Sequence, residues 1–161
     1  MSELKLSILG SGSALPRGDA FHTSQVLEMR NKQFMIDCGE GAQIRMRQNC
    51  VHTARLNHIF ISHLHGDHCF GLIGLISTLG MLGRTADITI HSHTDLEALL
   101  APQVKYFCSE FPFEVKFEPF APYASEVIYD DRSVKVTTLP LKHRVPSSGF
   151  LFEEKPTERH L

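Results

Sequence analysis

Four side chains able to bind a metal ion fall within six residues, His63-Leu64-His65-Gly66-Asp67-His68. On an α-helix, residues two apart point about 200° away from each other, so His63 and His65 could not share an ion there. In an extended segment positions 63, 65 and 67 lie on one side. Gly66 then lets the chain turn, so that His68, at the start of a following helix, swings toward the same place. The spacing predicts a strand-to-helix loop, unlike the helical pairing of an HExxH zinc motif. Imidazole with carboxylate suits Zn²⁺, with Mn²⁺ or Fe²⁺ as competitors, and does not suit a cysteine-based structural site. Such an ion lowers the pKa of bound water to about 7, and two ions can clamp the attacking and leaving oxygens of a displacement. The chemistry suggested is hydrolysis.

The elements that must position this cluster follow from periodicity. Asn57 to Ser62 holds Ile59, Phe60 and Ile61 in a row, a run suited to a strand buried on both faces, and the cluster sits at its end. Upstream, Leu4, Leu6 and Ile8 alternate with Lys5 and Ser7, predicting a half-buried strand that enters a glycine turn. Ser24 to Met29 and Gln33 to Ile36 read as strands, and Ala42 to Gln48 as a short helix. Downstream come a glycine-rich buried helix over Cys69 to Gly83, a strand over Asp87 to His91 and a helix over Thr94 to Phe107. Glu114 to Phe120, Ser133 to Leu139 and Gly149 to Phe152 read as later strands, with Asp130-Asp131 as turn chemistry.

Other signals are read as structural. His91-Ser92-His93 repeats the HxH spacing without a following Asp-His, and Thr94 behind it reads as a helix cap. Cys69 is expected to be a small buried thiol, and His160 a lone residue of a polar tail. Phe107, Phe111, Phe113, Phe117 and Phe120 are assigned to core packing, not base stacking. Arg45, Arg47 and Arg55 form a modest basic group of the kind solvated helix faces carry.

The 161 residues are 42% hydrophobic and 21% charged, which excludes disordered and low-complexity classes and fits one globular domain. A formal charge of -2 means that any grip on nucleic acid must be local. The four cysteines form no CxxC pair and no signal peptide opens the chain, so a reducing cytoplasm is expected. The longest apolar stretch is shorter than the roughly 20 residues a membrane span needs.

Three segments, IDCGEGAQ at Ile36 to Gln43, LNHIFISHLHGDHCFGLIGLI at Leu56 to Ile76 and LPLKHRVPSSGFLFEEKP at Leu139 to Pro156, together resemble the ribonuclease Z family. These tRNA 3′-end processing nucleases carry the HxHxDH signature of the metallo-β-lactamase superfamily. The resemblance covers essentially the whole chain. It implies an α/β fold, the metallo-β-lactamase-type αββα sandwich, with residues 1–161 forming its N-terminal half and the metal site at one edge of two packed sheets. It further implies that His63, His65 and His143 bind one zinc ion and Asp67 and His68 another. Asp67 would also accept a proton, and Asp37 would hold the histidine loop from behind. Two Zn²⁺ per complete site, a precursor tRNA substrate and a homodimer are the implied cofactors and partners.

Three features depart from the family pattern. A bridging Asp in a Gly-Asp-Thr context and a final His should follow the His143 motif, yet 18 residues follow His143 and none is Asp. The glycine- and basic-rich arm that grips tRNA would begin near the same point. The loop LPRGDAFHTS at Leu15 to Ser24 retains only Pro16 and Arg17 of the Pro-and-basic substrate loop. A half sandwich is expected to leave Asn57 to Ser62 and Glu114 to Phe120 facing water. The alternatives to tRNA processing are a superfamily hydrolase of thioesters, lactones or small phosphodiesters, and a non-catalytic metal-binding half-domain.

Overall fold

The structure, a computed structural model, describes residues 4–15, 17, 18 and 20–156. Pro16 of the substrate-loop expectation and His160 lie outside the described residues.

The strands β1 (Lys5–Gly10), β2 (Ser24–Met29) and β3 (Lys32–Cys38) form an antiparallel meander. Helix α1 (Ala42–Gln48) then leads to β4 (Leu56–Phe60), which lies parallel to β3. Two helices, α2 (Gly66–Cys69) and α3 (Leu72–Met81), return the chain to β5 (Ile88–Ser92), and α4 (Asp95–Phe107) returns it to β6 (Val115–Pro119). The sheet order is β1-β2-β3-β4-β5-β6, with β3 to β6 all parallel. Each parallel strand lies beside its predecessor, so right-handed crossovers put the connecting helices on one face. That face buries Met35, Leu56, Ile59, Ile61 and Ile90 in one core cluster with Leu72, Leu75, Ile76 and Leu79 of α3 and Leu96 and Leu100 of α4.

The other face is covered by a three-stranded antiparallel sheet of β7 (Val127–Asp130), β8 (Val134–Leu141) and β9 (Ser147–Glu154). Phe34 and Phe60 from the large sheet meet Val134 and Val136 of β8, with Tyr129, Phe150 and Phe152 packed around them. The aromatic rings of Phe34 and Phe152, and of Phe60 and Phe152, lie 5.5 Å apart, the tilted and edge-on geometry that ring quadrupoles favour. Helix layer, sheet and sheet are therefore three of the four layers of an αββα sandwich.

Several expectations need correction. The single helix over Cys69 to Gly83 is two, broken at Phe70-Gly71. Thr94 stands at the start of α4 but makes no side-chain cap bond. Strand β7 was not foreseen. Leu4, Leu6 and Ile8 do alternate along β1, yet they are 63, 52 and 61% exposed, because the small sheet does not reach this edge of the large one. Asn57 to Ser62 does not face water: Ile59, Phe60 and Ile61 are wholly buried, with Phe60 capped by the small sheet and its neighbours by the helices. On β6, Phe117 packs against the helix-side core, and Phe120 beyond it is buried. The phenylalanine group is core, as expected, except Phe107, which is exposed beside Tyr106.

Candidate metal centre

The parallel strands all end at one rim of the large sheet, the place where open α/β sheets bind ligands. The segment Ser62 to His68 leaves the end of β4 there as an irregular turn that becomes α2 at Gly66. His65 is extended, with φ -83° and ψ 147°, and Asp67 and His68 lie in the first turn of α2. The small sheet supplies the other wall. The connection between β8 and β9 brings His143 to the same rim, tied down by the Ser148 N–H, which donates to the Ser62 carbonyl over 2.9 Å.

Ligand atoms of His63, His65 and His143 all lie within 4.8 Å of one another, the group among the described residues able to hold a metal ion. His63 Nε2 stands 3.0 Å from His65 Nδ1, close to the roughly 3.3 Å that two nitrogens take on a tetrahedral zinc ion. The three-imidazole donor set and its spacing fit Zn²⁺. Asp67 and His68 stand alongside, with His68 Nε2 3.6 Å from Asp67 Oδ2 and the His63 and His68 rings 3.9 Å apart. These groups, with Ser13, His22, Glu40, Phe70 and Arg144, line an open cavity of about 670 Å³.

Asp37 approaches from behind. In the β2–β3 ladder Ser24 pairs with Cys38 and Gln25 with Ile36, which leaves Asp37 as the extra residue of a bulge. Its φ of 57° is left-handed, a conformation that aspartate tolerates better than most side chains. The bulge turns the carboxylate onto the histidine loop. Its Oδ1 accepts the Ser62 N–H over 2.8 Å, and its Oδ2 accepts the Ser62 hydroxyl over 2.9 Å and the His68 Nδ1–H over 2.7 Å.

Electrostatics sort these groups. Burial, reinforced by the adjacent imidazoles, pushes His63 down to about 4, so it is neutral at pH 7, the form that ligates a metal. For His68 burial acts downward, but the hydrogen bond and charge of Asp37 outweigh it and hold the ring above the ordinary histidine range. For Asp67 burial acts upward and is outweighed by the Ala14 N–H, donated over 3.1 Å, and by His68, so the carboxyl lies below the usual range.

The second HxH is no part of this cluster. His91 is buried between the sheets with its ring stacked on Phe60 and its Nε2 3.1 Å from His58 Nδ1, while His93 packs edge-on against Phe120. Cys69 is half-buried and its thiol donates to the His65 carbonyl. Arg45 is bonded to the Leu9 carbonyl and Arg55 to Glu28 and the Asn31 carbonyl, which accounts for two of the three arginines structurally. Sequence reasoning missed Ser62, Ala14 and His22. Only Ser62 carried a signal, its place directly before His63.

The family model described as anti-Pycsar protein Apyc1 matches residues 4–156. A ribonuclease Z from Phocaeicola vulgatus is 57% identical over all 161 residues, and one from Bacteroides thetaiotaomicron is 58% identical. The chain covers 52 and 51% of those proteins, so it spans about half the length of the curated relatives it matches. Among solved structures, the short form of human tRNase Z superposes with a TM-score of 0.83 at 29% identity, over 92% of this chain and 64% of that one.

Proposed function

Because the chain belongs to the family described as anti-Pycsar protein Apyc1, of metallo-β-lactamase-fold phosphodiesterases, and is a homologue of ribonuclease Z, we propose that its site cleaves phosphodiesters, with precursor tRNA as the substrate and the 3′ trailer as the product removed. The observation that carries this reading is a three-histidine cluster with an acid–imidazole pair beside it, at the rim shared by two sheets.

In this reading His63 through Nε2, together with His65 and His143, would hold one Zn²⁺, with Mn²⁺ or Fe²⁺ as competitors, and Asp67 and His68 would contribute to a second position. Those residues would thereby bring to the site ions that lower the pKa of bound water and offset charge on the phosphoryl group. Asp67, ionised at neutral pH and fixed by the Ala14 N–H, accepts a proton at a carboxylate oxygen. Asp37 keeps His68 in the Nδ1–H form, leaving Nε2 toward the cavity. Homodimer formation is proposed on the same homology.

The test compares pre-tRNA with a small phosphodiester such as bis(p-nitrophenyl) phosphate and with a thioester, each before and after chelation. Chelator-sensitive trimming of pre-tRNA supports the proposal. A second reading, in keeping with the match to a phosphodiesterase family, takes a small phosphodiester as substrate, and turnover of that compound with pre-tRNA untouched would replace the first reading with it. Thioester turnover alone would overturn both.

A further inference from the structure

Ser62 belongs to no part of the metal-binding motif, yet its hydroxyl stands at the meeting point of three groups. Its Oγ lies 2.9 Å from Asp37 Oδ2, 3.0 Å from His63 Nδ1 and 3.4 Å from His68 Nδ1. A hydroxyl has one proton to give and lone pairs to receive with. The carboxylate of Asp37 can only accept, and a charge-assisted bond is roughly twice as strong as a neutral one, so the Ser62 proton goes to Asp37. The oxygen is then left to accept, and the donor facing it at hydrogen-bond distance is Nδ1 of His63.

We infer that Ser62 is a positioning residue that fixes His63 as the Nδ1–H tautomer and thereby presents its Nε2 lone pair to the cavity. The same carboxylate oxygen that takes the Ser62 proton also takes the Nδ1–H of His68, over 2.7 Å. One aspartate therefore orders two imidazoles, His68 directly and His63 through a serine. The arrangement couples the three-histidine position to the neighbouring one through a hydrogen-bond chain that does not pass through any metal ion. The Ser62 backbone N–H on Asp37 Oδ1 holds the serine itself in place, so the chain is anchored at both ends.

The inference rests on the reading of His63 as a metal ligand, and its test is built so that the two can fail separately. Imidazole ¹⁵N spectra of the metal-free protein report the tautomer without any ion or substrate. His63 is expected as Nδ1–H, His68 is expected to keep its Nδ1–H on Asp37 whether or not Nε2 is also protonated, and a His63 ring found as Nε2–H overturns the inference whatever the protein binds. Variants then separate hydroxyl from shape. Ser62→Thr keeps the hydroxyl, and Ser62→Val has the bulk of threonine without it. The valine variant is expected to lose the single tautomer of His63, to leave that of His68 unchanged, and to bind Zn²⁺ about 10- to 100-fold more weakly. The threonine variant is expected to stay near wild type in all three. Asp37→Asn is expected to disturb both rings. Equal behaviour of the threonine and valine variants, with folding confirmed by circular dichroism, overturns the inference. A wild-type Nδ1–H tautomer with no Zn²⁺ binding at all would keep the hydrogen-bond chain and sink the metal reading instead.

Discussion

Asp67 and His91 show how differently one kind of surrounding treats two titratable side chains. Asp67 is kept ionised by the Ala14 N–H and by His68 against the effect of burial, which suits the proton-accepting role proposed for it. Asp67→Ala is expected to slow phosphodiester cleavage by at least about 100-fold while changing substrate affinity less than about threefold, measured as single-turnover rate against binding. Equal losses in both would mean that the residue shapes the substrate surface. His91 is held neutral instead. Burial first, and His58 second, lower it to about 3 from an unfolded value of 6.5. Between those values the unfolded chain takes the proton and the folded chain does not, so the stability from this residue is complete above about pH 6.5 and drains away as pH falls toward 3. The limit is on the order of 5 kcal/mol. Urea unfolding of metal-free protein from pH 7 to 4 is expected to show a steeper loss for wild type than for His91→Gln.

At the scale of elements, the site depends on backbone irregularities that packing enforces. The bulge at Asp37 lies under the start of α3, where the Gly71 N–H donates to the Cys38 carbonyl over 2.9 Å. A β-carbon on Gly71 would lie 2.9 Å from the Cys38 oxygen and closer still to the Gly39 carbonyl, and backbone cannot yield as a side chain does. Gly71→Ala is therefore expected to destabilise by about 1–3 kcal/mol and to weaken metal binding through displacement of Asp37, read from denaturation midpoints and metal titration. Sequence pattern located β2 and α1 to the residue and the histidine loop to its strand end, because hydrophobic period and turn residues are local signals. It could not locate the bulge, which is defined by register against β2, nor β7, whose four residues become a strand only by pairing with β8. Ser62 escaped notice for a similar reason, since its partner Asp37 is 25 positions away.

The whole molecule explains why Leu4, Leu6 and Ile8 were misjudged. Alternation tells which residues share a face, but coverage of that face depends on how far the opposing sheet extends. The small sheet sits over the middle of the large one, so β1 and the outer face of the small sheet both show apolar side chains to solvent, among them Val127, Leu141 and Leu151. Exposed apolar side chains of this kind promote association where they cluster. Leu6→Lys with Ile8→Lys is expected to reduce self-association of the 161-residue chain in light scattering and to change unfolding free energy by less than about 0.5 kcal/mol per site. No helix among the described residues is long and apolar enough to cross a membrane, and the four cysteines are free thiols.

His63 and His65 stand on a strand end of the large sheet, while His143 hangs from the small one, 78 positions beyond His65 (143 minus 65). An ion gripping all three is a cross-link in the polymer sense, because it closes a long loop of chain and clasps one layer of the sandwich to the other. Loop-closure entropy for a covalent bridge of that span is about 4.5 kcal/mol, which sets the scale of the tether. Occupancy of the site should then be legible with a thermometer and no substrate. Zn²⁺ at about 100 times its dissociation constant is expected to raise the melting temperature by about 5–10 °C, and a chelator to reverse it. With His143→Ala the two layers are no longer clasped, and most of that rise should vanish even though His63 and His65 remain in place.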